Sequence, residues 1–141
     1  MSLFDTNANA QLASQFYGKW AFSGEVQEKD GSNRNVKFIY EFNKDNTVTF
    51  IGYTYIGEVK KTVYKGNAEV LSSNKLKVKY AHMYIDEEDF SEELKSKNDY
   101  NEIITFTDWK KGKIKLNLEY NPEGVFNPDF SKSEYILSKI K

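Results

Sequence analysis

The amino-acid sequence predicts an all-β protein, with about eight antiparallel strands in up-and-down order closed into a barrel behind a short helical lead-in. Three observations predict this. Alternation of apolar and polar residues at period two recurs from Trp20 to Ile140. Tight-turn signals at Asp30-Gly31, Lys44-Asp45-Asn46, Ser72-Ser73-Asn74 and Lys110-Lys111-Gly112 punctuate the alternation, and strands joined so closely pair antiparallel. Tyr and Phe occur ten times each against two Pro, which suits residues packed on a half-buried pleated surface. Closure follows because eight strands closed on themselves expose no edge, and the enclosed space is filled by side chains or holds one small ligand.

Residues 6–17 read as the helical lead-in. Asp5 or Thr6 can cap its free N–H groups, Leu12 and Phe16 share a face at i, i+4, and Gly18 is a natural C-terminal stop. A helix this short is marginal alone and must dock, most simply on one mouth of the barrel. Trp20, Phe22 and Val26 then alternate with polar or small residues. Val36, Phe38, Tyr40 and Phe42 share one face of the second strand. The third strand, Thr47 to Ile56, has Val48, Phe50, Gly52 and Thr54 in one phase and Thr49, Ile51, Tyr53 and Tyr55 in the other, so both of its faces are apolar. Gly57 breaks the chain before a fourth strand near 59–70. Leu76, Val78, Tyr80, His82 and Tyr84 follow in one phase against Lys75, Lys77 and Lys79. A helical insert is expected near 86–97, with acids first, lysines last and Phe90 and Leu94 at i, i+4, which complements the helix dipole. Strands resume near 100–109 and 113–120. Both prolines fall in an irregular stretch over 121–132, and 133–140 makes the last strand. The 141 residues read as a single domain, 1–141, with the lead-in over 6–17 and the barrel over 18–140.

Composition limits the function classes. The net charge is −1 and basic and acidic residues are interspersed, so no broad basic field is expected and no nucleic-acid partner is inferred. Without cysteine there is no disulfide, thiolate metal site or thiol nucleophile. With one histidine and no ligand spacing, no metal and no cofactor is expected. The acidic run 86–89 with Glu92 and Glu93 lacks the alternating ligands and central glycine of a calcium loop, and reads as a solvated helix N-terminus. No nucleophile elbow, phosphate-cradling loop or metalloprotease motif is present, so the chain reads as non-catalytic. No apolar run is long enough for a transmembrane segment. The N-terminus has neither the basic nor the apolar region of a secretory leader, which gives a cytoplasmic address as the sequence stands and a periplasmic or envelope-anchored one if a signal was removed.

Three stretches carry a family resemblance. A helical turn runs into Gly18-Lys19-Trp20, similar to the G-x-W pattern that opens the first strand of lipocalins, and Tyr40 to Thr49 resembles the second hairpin of bacterial lipocalin-like domains. The ending Tyr135-Ile136-Leu137-Ser138-Lys139-Ile140 also resembles their last strand. The chain therefore resembles the lipocalin-like members of the calycin superfamily. That resemblance implies an up-and-down barrel that takes a small hydrophobic molecule inside, with a basic residue, here Lys139, lying over Trp20.

The candidate ligand-binding residues are those in the presumed inward phase. Tyr40, Tyr64, Tyr80, Tyr84 and Tyr120 bring apolar rings whose hydroxyls need partners when buried, while Thr54 and His82 add orienting hydrogen bonds. The alternative is a protein-interaction module, such as a toxin-neutralising immunity protein or inhibitor. It would bind a protein partner through Ile51, Tyr53, Tyr55 and Trp109, which with Ile103 fall in the outward phase.

Overall fold

A computed structural model describes residues 11–27, 30–96, 100–120 and 134–140, and within these the side chains of residues 56, 95, 96, 100, 101 and 120 are not described. It shows the closed antiparallel eight-stranded barrel. The strands are β1 (Gly18–Gln27), β2 (Asn33–Phe42), β3 (Thr47–Ile56), β4 (Glu58–Ser72), β5 (Lys75–Ile85), a two-residue β6 (Glu88–Asp89), β7 (Tyr100–Lys110), β8 (Lys113–Tyr120) and β9 (Glu134–Ile140). Pairing runs β4-β3-β2-β1-β9-β8-β7-β5, and β4 pairs with β5 to close the cylinder; β6 only folds back on β5. Every pairing is antiparallel, and the β1–β9 pairing joins the two ends of the barrel sequence, with Trp20 opposite Lys139.

The short connections 43–46, 73–74 and 111–112 all lie at the end where β1 begins, here called the closed end. Asp45 shapes the first of them: its carboxylate accepts the Thr47 hydroxyl (2.6 Å) and the Thr47 N–H (2.9 Å), and these bonds hold its pKa below the ordinary value. The connections at the opposite, open end include Gly57 and the segment from Asp86 to helix α1 (Ser91–Ser96).

Over its described part the lead-in is not the helix that the sequence predicts. Residues 6–10 of the expected helix lie outside the described residues, and over 11–17 the chain forms a single 3₁₀ turn, Ser14–Phe16. Ala13 is extended (φ −58°, ψ 137°) and its N–H goes to the Ser73 carbonyl (2.8 Å), a tertiary bond to the β4–β5 turn that displaces helical pairing. Leu12 and Phe16 are nevertheless both buried, so this segment plugs the closed end. The acidic insert also differs from expectation. Asp86 and Glu87 have positive φ and make a tight reversal into β6, and α1 begins only at Ser91, whose N–H is capped by the Asp89 carboxylate (2.8 Å). The stretch expected to be irregular over 121–132 lies outside the described residues.

Rings in mutual contact run along the interior. From the plug, Phe16 stacks on Phe106 (4.8 Å), Phe106 meets Phe42 edge-on (4.9 Å), and Phe42 stacks on Tyr40 (5.4 Å). Tyr40 leads to Phe50 (4.9 Å), from which one branch reaches Tyr64 and Tyr80 and another Phe38, Phe22 and Tyr135. Edge-to-face and offset geometries of this kind add to the area the rings bury.

Candidate functional site

The polar feature of the interior is Glu102, which is 2% exposed and sits on β7 in the same phase as Ile104 and Phe106. Tyr80 Oη donates to its Oε1 at 2.8 Å, and Tyr40 Oη lies 3.1 Å and 3.2 Å from its two oxygens. Burying a carboxyl group is tolerable only with donors of this kind in place. The Tyr64 ring packs 5.6 Å from Tyr80, and its pKa is pushed up to about 12, first by burial and then by the negative Glu102 nearby. Burial alone raises Tyr135, across the interior, to about 12. These phenols stay neutral donors at any physiological pH.

Glu102 is the residue that sequence reasoning misses. The available signal is an acid in the apolar phase of a strand, between turns that fix its register. The structure gathers Tyr40, Tyr64 and Tyr80 from the predicted ligand set around it. Thr54 faces inward nearer the open end, opposite buried Val36, and is half-buried. Tyr120 pairs with Glu102 in register on β8, but its side chain lies outside the described residues.

His82 and Tyr84 depart from the prediction. A bulge separates the pairs Gly66–Tyr80 and Lys65–His82, so Ala81 is an extra residue and the phase of β5 inverts beyond it. Met83, opposite Tyr64, now faces inward, while His82 is exposed and Tyr84 lies on the outer surface with the Lys65 ammonium 6.0 Å from its ring. Gly66 permits the bulge. A Cβ there would stand 2.7 Å from the Tyr80 Cα and would collide with the Lys79 carbonyl, so only glycine lets β4 and β5 approach and close the barrel.

Solvent reaches inward-facing residues unequally. Phe42, Val48, Val78, Ile104, Phe106, Leu116 and Leu137 are 0–1% exposed. Toward the open end, Val26, Val36 and Tyr135 are buried on the β1–β2–β9 side with Phe22 half-buried among them, and Phe50, Thr54, Thr62 and Met83 on β3, β4 and β5 are half-buried. Gly52 lies among them on the same face, with the Phe50 ring folded against it. Helix α1 packs on β5 at this end through the Ser91 hydroxyl, which accepts the Met83 N–H (3.1 Å), and through buried Leu94.

Ile51, Tyr53 and Tyr55 share the outer face of β3, and the register extends Ile51 into a row across five strands: Ala21, Ile39, Ile51, Val63 and Tyr84. Ile103 is also outward and half-buried, on β7. Trp109 lies elsewhere. A second bulge, between Asp108 and Lys110, leaves it unpaired at the closed end of β7.

Among the described residues no group of three or more His, Cys, Asp or Glu could hold a metal ion, and no helix is long and apolar enough to cross a membrane. No protein-family model, curated protein or solved structure matches the chain.

Proposed function

We propose that the protein binds a small hydrophobic or amphipathic molecule at the open end of its barrel, without catalysing a reaction on it. The observation that carries this reading is the set of inward-facing residues Phe50, Thr54, Thr62 and Met83 that solvent still reaches, set above the buried Glu102–Tyr40–Tyr80 cluster. Apolar walls with a few convergent polar groups are the usual make-up of a small-molecule site. The ring of Phe50 and the thioether of Met83 would hold the apolar part of the ligand, and the Thr54 hydroxyl would orient its polar end. Lys139, whose Nζ lies 4.6 Å from the Trp20 ring and donates to the Tyr17 carbonyl (2.6 Å), has the placement that the lipocalin-like resemblance implies, and it supports the same reading.

The test is titration with a fluorescent fatty-acid analogue. Saturable one-to-one uptake is expected, and Thr54→Trp, which places an indole in the opening, abolishes it while leaving the β-sheet circular dichroism unchanged. An absence of uptake, or uptake that Thr54→Trp leaves intact, refutes the reading.

A second reading rests on the outer face. The five-strand row Ala21–Ile39–Ile51–Val63–Tyr84, with Tyr53 and Tyr55 beside it, is a continuous apolar-aromatic surface of the kind that docks a protein partner, such as the target of an immunity protein or inhibitor. Co-purification of a single partner from the native organism, lost in Tyr53→Ala/Tyr55→Ala, is the result this reading requires.

A further inference from the structure

At the closed end, away from the opening, an exterior cleft of about 510 Å³ is lined by Gln15, Trp20, Asp108, Trp109, Ile114 and the lysines 110, 111, 113 and 139 around Gly112. Three features separate it from ordinary lysine-rich surface. Both tryptophans of the chain line it, one as wall and one as flap: Trp20 is 4% exposed and anchored by its Nε1–H to the Phe16 carbonyl (2.9 Å), whereas Trp109 is 46% exposed. The bulge at Asp108–Lys110 takes Trp109 out of the ladder and aims it here, a use to which bulges are often put beside binding sites. Finally, four cations face one carboxylate in a protein whose net charge is −1, and that carboxylate, Asp108, receives the Gln15 amide (3.5 Å). Lys139 is already engaged with Trp20 and the Tyr17 carbonyl, and Lys115 holds Trp109 from outside, its Nζ 4.7 Å from the ring and 2.9 Å from Glu134. Lys110, Lys111 and Lys113 make no ion pair among the described residues.

We propose that this cleft is a second binding site, distinct from the barrel opening, for a small anion carried on a flat ring: an aromatic carboxylate or a nucleoside monophosphate. The ring stacks on Trp109, and the anionic group is met by Lys110, Lys111 and Lys113 on the hairpin. A bare anion finds three mobile, solvated ammonium groups and little to hold it, while a neutral ring finds a single exposed indole. Only the combination uses both parts.

The indole N–H signal of Trp109 in proton–nitrogen correlation spectra reports on the cleft, and core-anchored Trp20 gives the chain's one other indole signal. Naphthoate and adenosine monophosphate are the two ring-bearing probes, with adenosine and inorganic phosphate as the separate halves of the nucleotide and naphthalenemethanol and acetate as those of naphthoate. Saturable movement of the Trp109 signal by one of the ring-bearing anions is expected, about tenfold tighter than by either half, and the tighter arm identifies carboxylate or phosphate as the group recognised. Lys111→Gln/Lys113→Gln, at an exposed hairpin end, lowers that affinity about tenfold with the rest of the spectrum unchanged, and added salt lowers it in the same direction. The proposal is overturned if neither ring-bearing anion moves the signal saturably, if a half binds as well as the whole, or if the lysine variant binds unchanged.

Discussion

The two ends of the barrel are built from the same strands and the same kinds of residue, yet they are finished differently. At the closed end the inward positions of β2, β3, β5, β7, β8 and β9 interlock down to 0–3% exposure beneath the Leu12–Phe16 plug, with Ala68 and Val70 half-buried at the β4 rim. At the open end the β3–β4–β5 wall keeps half-buried side chains. Much of the difference turns on one place. The Gly66–Ala81 bulge lies between the regular pairing of Asn67–Val70 with Leu76–Lys79 and the shifted pairing of Thr62–Lys65 with His82–Ile85. Below it, β5 contributes Leu76, Val78 and Tyr80 to the core. Above it, the same strand turns His82 and Tyr84 outward and offers the interior Met83. A packed end supplies stability, and the less tightly packed wall is where binding is affordable.

The sharpest test of this contrast is a matched pair of truncations. Phe106→Ala removes a ring held between Phe16 and Phe42 and should cost about 3–5 kcal/mol, the range for a buried phenylalanine. Phe50→Ala, half-buried in the open wall, should cost only about 1–2 kcal/mol, because part of its surface is already wet and water can fill the space. Equal losses in denaturant unfolding would show that the two ends are packed alike. Next in size is Gly66→Ala. The added methyl meets backbone, which cannot swing away, and should cost about 3 kcal/mol, the upper range for overpacking. Wild-type stability in this variant would mean that the strands close without needing the bulge.

Glu102→Gln tests the floor of the opening. Two tyrosine hydroxyls lose a carboxyl acceptor, so a loss of about 1–3 kcal/mol is expected by denaturant melting. The Tyr64 midpoint should also move down from about 12, because the negative charge that helps raise it is gone while burial remains. Absorbance titration of tyrosinate reads this directly, and an unmoved midpoint would deny the electrostatic link. The last test concerns pH. Tyr64 and Tyr135 ionise near 12 in the folded chain against 10 in the unfolded one. Their neutral-form contribution is therefore whole below about pH 10 and is lost as pH climbs from there to about 12. A stability profile that already falls through pH 8 would have to arise from other groups.

Most of the barrel was legible because alternation and turn spacing are local. Val36–Phe42 and Leu76–Tyr80 point inward as their period requires, and the turns at Asp45 and Gly112 set the register of their hairpins. Tyr40, Tyr64 and Tyr80 were legible as interior for the same reason. His82 and Tyr84 were not, because a single inserted residue inverts a period-two pattern without leaving any mark in composition. Glu102 was half legible: its phase is readable, but the hydroxyls that make its burial tolerable come from strands far away in sequence.

The sequence by itself determined that this chain is all-β, how many strands the barrel has and which face of most of them turns inward, since each follows from neighbours a few residues apart. Only the tertiary structure decided where the alternation slips, which tyrosines surround Glu102, and that the two tryptophans share one cleft. Those outcomes depend on how closely β4 and β5 approach and on which residues β1, β7 and β9 bring together across the barrel wall, and distances between segments remote in sequence are not encoded in any local period.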